Sequence, residues 1–158
     1  MDKVVVFGGS GFLGSYVVEE LISRKYEVVI ADLNEPSFSD DKKNFVKCDI
    51  TDPTSLNMAI EGANIVYNFA GAADIERSNA NPDDTINQNI IGNLNILKAC
   101  TEESVRRYVY ASSAYAFSDK GGFYGISKLA SEKIIEEYRL RFNVPYTIIR
   151  YGSVYGER

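Results

Sequence analysis

Residues 3–14 read Lys-Val-Val-Val-Phe-Gly-Gly-Ser-Gly-Phe-Leu-Gly, a β-branched run that ends in a glycine-rich turn. The run from Lys3 to Phe7 predicts a buried strand, because strands covered on both faces are continuously apolar. From Phe12 to Arg24 the apolar side chains follow helical spacing, which predicts a helix directly after the turn. A strand, a glycine turn and a helix in this order are typical of the first unit of a parallel α/β sheet.

Strands and helices alternate along the rest of the chain. Further strands are predicted at 27–31, 45–47, 63–69, 107–112 and 145–150, and further helices at 53–60, 84–101 and 123–142. In the last helix, the residues expected to face the sheet are Ile126, Leu129, Ala130, Ile134 and Tyr138. The alternation predicts an α/β fold: a doubly wound parallel sheet of about six strands with helices on both faces.

Composition narrows the class of protein. A chain of 158 residues suits one domain, residues 1–158, and its net charge of −5 disfavours nucleic acid and anionic membranes as partners. Cys48 and Cys100 lie in apolar stretches, which favours two buried, reduced thiols in a cytoplasmic protein. The sequence has no histidine. Its absence excludes His-based triads and disfavours zinc, so no metal site is predicted.

The glycine turn predicts a site for a dinucleotide. Free N–H groups and the dipole at a helix N-terminus bind the charge of two adjacent phosphates. Gly8, Gly11 and Gly14 would supply the tight turn, the close approach to the phosphates and the close packing of helix on strand. The turn follows a predicted strand and opens a predicted helix, which is the context that this motif requires.

Asp32 indicates which dinucleotide is bound. It ends the second predicted strand, 24 residues after Gly8. A carboxylate there accepts hydrogen bonds from the adenosine ribose hydroxyls and repels the 2′-phosphate of NADP. No Arg or Lys lies between Asp32 and Asp41 to hold that phosphate. The sequence therefore predicts NAD.

Tyr124 and Lys128 form a second constellation near the start of the last helix. They stand four residues apart, so both side chains share one helix face. A neighbouring ammonium favours the phenolate and lowers the pKa of a tyrosine that otherwise loses its proton near pH 10. Ser112 and Ser113 end the preceding strand, and the carboxyl ends of strands face the ligand crevice in open α/β sheets. Together these residues predict a tyrosine base beside the dinucleotide.

With these motifs in order, the chain resembles the extended short-chain dehydrogenases/reductases, and among them the NAD-dependent nucleotide-sugar epimerases and dehydratases. The resemblance covers essentially the whole chain and implies a Rossmann-type fold. Beyond the GxxGxxG turn it rests on Asp49-Ile50, Asn68 to Ala72, Asn89 with Gly92, and Arg150 to Gly156.

The resemblance also implies roles for single residues. Ser113, Tyr124 and Lys128 match the catalytic Ser/Thr, the base and its lysine partner. The implied cofactor-binding positions are Gly8, Gly11, Phe12, Leu13, Asp32, Asp49, Ile50, Phe69, Ala70, Gly71, Ala72, Asn89, Ser112, Tyr124, Lys128, Tyr151 and Ser153.

One departure from the family pattern bears on the reaction. Dehydratases carry acidic residues just after the catalytic Ser/Thr, where this chain has Ala114 and Tyr115. The resemblance therefore favours 4-epimerisation of a nucleotide sugar, by transient hydride transfer to NAD through a 4-keto intermediate. Two alternatives stay open: a reductase of the same family acting on a non-sugar carbonyl, and a non-catalytic NAD-binding or sensing module.

The family comparison also gives expectations about the whole protein. Family members continue with a C-terminal substrate domain that these 158 residues lack. We therefore expect an N-terminal fragment of a longer enzyme, which need not be active by itself. The resemblance further implies a homodimer formed through the helices at 84–101 and 123–142.

Overall fold

Six parallel strands form the centre of the computed structural model, which describes residues 2–38 and 44–157. The strands are β1 (Lys3–Phe7), β2 (Glu27–Asp32), β3 (Phe45–Lys47), β4 (Ile65–Asn68), β5 (Arg107–Ser113) and β6 (Tyr146–Tyr151). Their order across the sheet is β3-β2-β1-β4-β5-β6. The order reverses between β1 and β4, so a crevice opens there at the carboxyl ends of the strands.

All six predicted strands are present, and the α/β prediction is confirmed. The helices are α1 (Phe12–Ser23), α2 (Pro53–Ile60), α3 (Ile75–Ala80), α4 (Pro82–Ile86), α5 (Asn93–Glu102) and α6 (Gly122–Phe142). Asp52 caps α2, since its carboxylate accepts hydrogen bonds from the N–H groups of Thr54 (3.0 Å) and Ser55 (3.4 Å). The sequence analysis did not predict α3, a short helix capped by Asp74.

Alternate residues of β1 enter two separate cores. Val4 and Val6 pack with Val18 and Leu21 of α1 on one face. Val5 and Phe7 belong to the larger cluster on the other face, where the further members are drawn from α2, α5 and α6: Leu56, Ile60, Ile96, Leu97 and Ile135. Because both faces are covered, β1 is fully buried, as its unbroken apolar run predicts.

The predicted helix at 84–101 is present, but it is not a uniform α-helix. Between α4 and α5 the chain forms a π-helical turn, Asn87–Gly92. Gly92 makes room for Ile50, because a Cβ at Gly92 would lie 2.5 Å from the Ile50 Cδ1 atom. Turns of this kind are rare and have no sequence motif of their own, so the sequence analysis did not predict it.

The predicted inner face of α6 is partly wrong. Ile134 and Tyr138 do pack against the larger core, but Ile126 is 63% exposed. The buried face instead carries Ser127, Lys128, Ser131, Glu132 and Ile135. These polar side chains reach partners on β5, β6 and the π turn, so burial follows hydrogen bonding here rather than hydrophobicity.

The structure also bears on the cysteines and on possible membrane-spanning helices. Cys48 and Cys100 are both buried and free, as predicted. Within the described residues, no helix has the length and apolar content needed to cross a membrane.

Replacing Gly14 tests the packing of α1 on β1. An alanine Cβ at Gly14 would lie 2.1 Å from the Gly8 carbonyl oxygen. Because this neighbour is backbone and cannot rotate away, we expect Gly14→Ala to lower the free energy of unfolding by about 3 kcal/mol in urea titrations. Gly152→Ala is the matched control, since nothing lies within 4 Å of a Cβ there. It should change stability by less than about 0.5 kcal/mol, and equal effects of the two changes would contradict the packing argument.

Candidate functional site

The glycine turn brings three backbone segments into contact at the crevice. Gly8 has a φ of +73°, and a Cβ on it would lie 2.6 Å from the Ala70 nitrogen at the end of β4. Gly11 is exposed and precedes the first residue of α1. In the part of the chain that the structure describes, the N–H groups of Phe12 and Leu13 have no protein acceptor. At this turn no side chain covers the backbone of Gly11, and two N–H groups are available as donors. Both features suit the binding of a phosphate group.

Asp32 lies beside this turn at the end of β2. Its Oδ2 atom accepts a hydrogen bond from the Ser10 N–H (3.0 Å), and its Oδ1 atom accepts one from the Asn34 N–H (3.1 Å). The carboxylate is thus held at the mouth of the crevice with acceptor capacity to spare, since each oxygen has a second lone pair. Of the stretch without Arg or Lys that follows Asp32, residues 39–41 lie outside the described residues.

A cleft of about 450 Å³ runs from the glycine turn across the carboxyl ends of the strands. Eight of the predicted cofactor-binding residues line it: Gly8, Gly11, Asp32, Asp49, Ile50, Phe69, Ala70 and Gly71. Asp49 is oriented by Thr51, whose N–H (2.9 Å) and hydroxyl (2.7 Å) donate to its Oδ1 atom. The eight lining residues come from separate stretches of sequence, and the parallel sheet places them along one side of the cleft.

Further lining residues were not predicted from the sequence. They are Ala31, Leu33, Cys48, Thr51, Asp84, Asn87 and Gln88. Asp84 and Gln88 face the cleft together, and the Gln88 Nε2 atom donates to the Asp84 Oδ1 atom at 2.8 Å. No local sequence motif predicts these two residues at the site, because only the packing of α4 and the π turn brings them to the cleft.

Asn89, a predicted cofactor-binding residue, is 2% exposed and bonded to protein groups. Its side-chain amide accepts from the Ala72 N–H (2.8 Å) and donates to the Ala72 carbonyl (3.0 Å) and the Ser127 hydroxyl (2.8 Å). A Cβ at Gly71, whose φ is +134°, would lie 2.3 Å from the Asn89 Oδ1 atom. Asn89 therefore links the segment after β4 to α6 by hydrogen bonds, and its side chain lies behind the residues that line the cleft.

The Tyr124–Lys128 pair is formed as the spacing predicts. The Lys128 Nζ atom lies 5.7 Å from the centre of the half-buried Tyr124 ring and 4.9 Å from that of Tyr110. It donates a hydrogen bond to the Ala111 carbonyl (2.9 Å). Burial of the ammonium, which is 7% exposed as a residue, lowers the pKa of Lys128 to about 8. The ammonium thus lies close to both tyrosine rings and to the end of β5.

The two serines at the end of β5 have different partners. The Ser113 Oγ atom accepts from the Tyr115 N–H (3.2 Å) and so begins the 3₁₀ turn Ala114–Phe117. The Ser112 hydroxyl instead donates to the Glu132 Oε1 atom at 2.5 Å. Glu132 was not predicted as part of the site. The sequence offers only its spacing as a signal, since Glu132 follows Lys128 by four residues and so shares its helix face.

The last predicted positions follow β6. The ring of Tyr151 lies 6.4 Å from that of Phe69, so the two side chains meet across β5, which lies between their strands. Ser153 is exposed in the segment after β6. Nine of the predicted positions are not among the residues that line the cleft: Phe12, Leu13, Ala72, Asn89, Ser112, Tyr124, Lys128, Tyr151 and Ser153.

Comparison with known proteins gives consistent matches over nearly the whole chain. A sequence model of the NAD-dependent epimerase/dehydratase family matches residues 4–158. A Methanocaldococcus jannaschii protein named as a candidate UDP-glucose 4-epimerase is 30% identical over 98% of this chain and 57% of its own length. Vestitone reductase from Medicago sativa is 34% identical over 75% of this chain and 40% of the reductase.

Solved structures agree with these sequence matches. The crystal structure of UDP-glucose 4-epimerase from Thermus thermophilus in complex with NAD superimposes with a TM-score of 0.85 and 28% identity. That match covers 99% of this chain and 57% of the epimerase. The chain thus spans about half the length of the curated relatives it matches.

Burial of Lys128 gives a pH dependence of stability. Its pKa falls from 10.5 to about 8 on folding, so the unfolded chain binds more protons between these values and stability rises with pH there. The charged lysine is therefore unfavourable below about pH 8. We expect Lys128→Met to be the more stable protein at about pH 7, and its advantage to shrink by about 2 kcal/mol by about pH 10.

Urea titrations across this pH range measure the difference between the two proteins. Lys133→Met is the control, because Lys133 is exposed and paired with Glu136 (2.8 Å) on the same helix. An advantage of Lys128→Met that does not change with pH would show that the lysine is not buried in its charged form.

Proposed function

This chain belongs to the NAD-dependent epimerase/dehydratase family, and on that premise we propose that it is the NAD-binding domain of an enzyme that epimerises a nucleotide sugar at C4. The observation that carries the proposal is the Tyr124–Lys128 pair on α6, where Lys128 is bonded to the Ala111 carbonyl of β5, the strand that ends at Ser113. Relatives that match over most of this chain carry the name UDP-glucose 4-epimerase.

The cleft fits NAD by the chemistry of its walls. The N–H groups of Phe12 and Leu13 would bind the pyrophosphate, and Gly11 would let the backbone approach it. Asp32 would accept hydrogen bonds from the adenosine ribose hydroxyls, while Asp49 and Ile50 lie where the adenine would be held. When bound, NAD supplies a hydride acceptor.

The chain's own residues would move the proton. Tyr124 would remove the proton of the sugar 4-hydroxyl, and Ser113 would hydrogen-bond the same oxygen. Lys128 would keep Tyr124 in its phenolate form, because a cation held by burial and by the Ala111 carbonyl stays beneath the ring. Tyr124 would give the proton back to the oxygen as the hydride returns to the opposite face of C4, so that the carbon is inverted with no net change in oxidation state.

The 3₁₀ turn after β5 supports epimerisation rather than dehydration. Ala114 and Tyr115 offer no carboxyl group for moving protons at the neighbouring sugar carbons. Tyr115 instead contributes its backbone N–H to Ser113. The substrate class, a nucleotide sugar, is part of this proposal, as is the assignment of residues 1–158 to a single domain.

A second candidate function is reduction of a non-sugar carbonyl. The similarity to vestitone reductase favours it. Asp32 argues against a preference for NADPH, because its carboxylate is held at the mouth of the cleft. A non-catalytic NAD-binding module and a homodimer formed through the helices at 84–101 and 123–142 stay predictions.

Replacing Tyr124 tests the proposed base. In the complete protein, Tyr124→Phe should lower interconversion of UDP-glucose and UDP-galactose by about 10²-fold or more, because the proton acceptor is lost. The variant should still bind NAD, as measured by calorimetry. Tyr138→Phe is the control, since Tyr138 lies on the same helix and packs against the core. Turnover of Tyr124→Phe equal to that of the unchanged enzyme would overturn the assignment.

Replacing Asp32 tests the choice of dinucleotide. Asp32→Ser removes the charge that repels a 2′-phosphate, so the preference for NAD over NADP should fall by about tenfold or more. Dissociation constants for both dinucleotides give this ratio directly. Asp52→Ser is the control, because it makes the same change at a helix cap outside the cleft lining. An unchanged ratio in Asp32→Ser would exclude Asp32 as the selecting residue.

A further inference from the structure

Glu132 is a buried acid that the proposed mechanism does not use. The residue is 0% exposed, on the inner face of α6. Its Oε1 atom accepts from the Ser112 hydroxyl (2.5 Å) and the Arg150 Nε atom (3.0 Å). Its Oε2 atom accepts from the Arg150 Nη2 atom (2.8 Å). Burial alone would raise the pKa of this carboxyl, but the bonds from Arg150 and Ser112 outweigh it and hold the pKa below its usual value.

Glu132 lies on the same helix face as the proposed base and its lysine. Tyr124, Lys128 and Glu132 follow one another at intervals of four residues. Lys128 donates to the carbonyl of Ala111, and Glu132 accepts from the hydroxyl of Ser112. Successive residues of β5 therefore hold successive turns of α6, and this double attachment sets the position of the helix along the strand.

Arg150 extends the attachment to the segment that begins at Ser113. Its guanidinium carbon lies 4.2 Å from the centre of the Phe117 ring, the last residue of the 3₁₀ turn. Ser113 begins that turn. Through Arg150, Glu132 thus connects α6 and the end of β6 with the turn on the other side of the proposed site.

Stability alone does not account for this arrangement. Glu132 is buried while Arg150 is half exposed, and an ion pair that is partly buried is often no more stabilising than well-packed apolar residues of similar volume. The bidentate contact between Arg150 and Glu132 is directional, however, and an apolar pair would not fix the helix at one position along the strand. A defined position matters here, because displacement of about 1 Å can cost a reaction about 10²-fold.

We propose that Glu132 is a positioning residue for proton transfer: by holding Ser112 and Arg150, it keeps α6 in place on β5 and so holds Tyr124 and Lys128 in position relative to Ser113. The inference rests on the proposed function in that Tyr124 is taken as the base. Loss of the Glu132 contacts should let α6 shift on β5, so that Lys128 loses its bond to the Ala111 carbonyl and with it the position of its Nζ atom beneath the Tyr124 ring.

The surrounding charges let a positional effect be separated from a direct electrostatic one. The charged or ionisable groups around Tyr124 and Glu132 are Lys128 and Lys133 on α6, Tyr110 on β5 and Arg150 on β6. Removing the negative charge of Glu132 would by itself lower the pKa of Tyr124. A positional effect has the opposite sign. Ser112→Ala breaks the attachment to β5 without changing any charge, so it reports position alone.

The experiment compares Glu132→Gln and Ser112→Ala in the complete, NAD-loaded protein. Tyrosinate absorbance is followed against pH, and the same titration of Tyr124→Phe is subtracted to isolate the signal of Tyr124. The acidic limb of kcat against pH is measured in parallel. Glu137→Gln is the matched control, because it makes the same change at an exposed carboxylate paired with Arg141 on the same helix.

In both variants we expect the pKa of Tyr124 and the acidic limb to move upward by about half a pH unit or more, about threefold in proton affinity. We expect kcat at neutral pH to fall about tenfold with KM changed less than about twofold. The control should match the unchanged protein. A merely structural role would lower the amount of folded protein and leave the pKa of Tyr124 where it was.

Two results would overturn the proposal: a pKa of Tyr124 unchanged in Ser112→Ala, or one that falls in Glu132→Gln. If Glu132→Gln does not fold, Ser112→Ala decides alone. Failure of the proposed function is separately visible, because an unchanged protein that turns over no nucleotide sugar still gives the Tyr124 titration.

Discussion

The contact of Gly8 with both Gly14 and Ala70 is the constraint on which the rest of the structure depends. A Cβ would lie 2.1 Å from the Gly8 oxygen if placed on Gly14, and 2.6 Å from the Ala70 nitrogen if placed on Gly8. Only backbone atoms can approach so closely. Because of these backbone contacts, α1 begins directly after the turn that follows β1, and the end of β4 lies beside the same turn. The first turn of α1 therefore begins at the crevice where the order of the strands reverses.

Behind the cleft, polar side chains rather than apolar ones hold the second half of the site together. The Asn89 amide joins the segment after β4 to α6, and the Ser131 hydroxyl donates to the Asn89 carbonyl (2.7 Å). Lys128 and Glu132 make the corresponding connections to β5. Since hydrogen bonds are directional, they determine how far α6 is displaced along the sheet, which apolar contacts control only loosely. The cleft and the tyrosine pair are thus coupled by one set of bonds.

These buried polar groups give the site its chemistry at the expense of stability. An ammonium without a carboxylate partner is unfavourable in the interior, and the lowered pKa of Lys128 is the direct sign of it. The same burial places the cation close to the Tyr124 ring. Glu132 differs in that Arg150 and Ser112 satisfy both of its oxygens, which outweighs the effect of burial and keeps its pKa below the usual value.

By itself the sequence determined what depends on local pattern: six strands, the glycine turn, the cap at Asp52 and the four-residue spacing of Tyr124 and Lys128. These features follow from periodicity and from backbone conformations that few residues adopt. Tertiary structure alone decided the π turn, the exposure of Ile126, the enclosure of Asn89 and the arrival of Asp84 and Gln88 at the cleft. It also decided that Glu132 meets Ser112 and Arg150. Such contacts join residues far apart in the chain, and a hydrogen-bonding side chain looks the same in sequence whether its partner is water or protein.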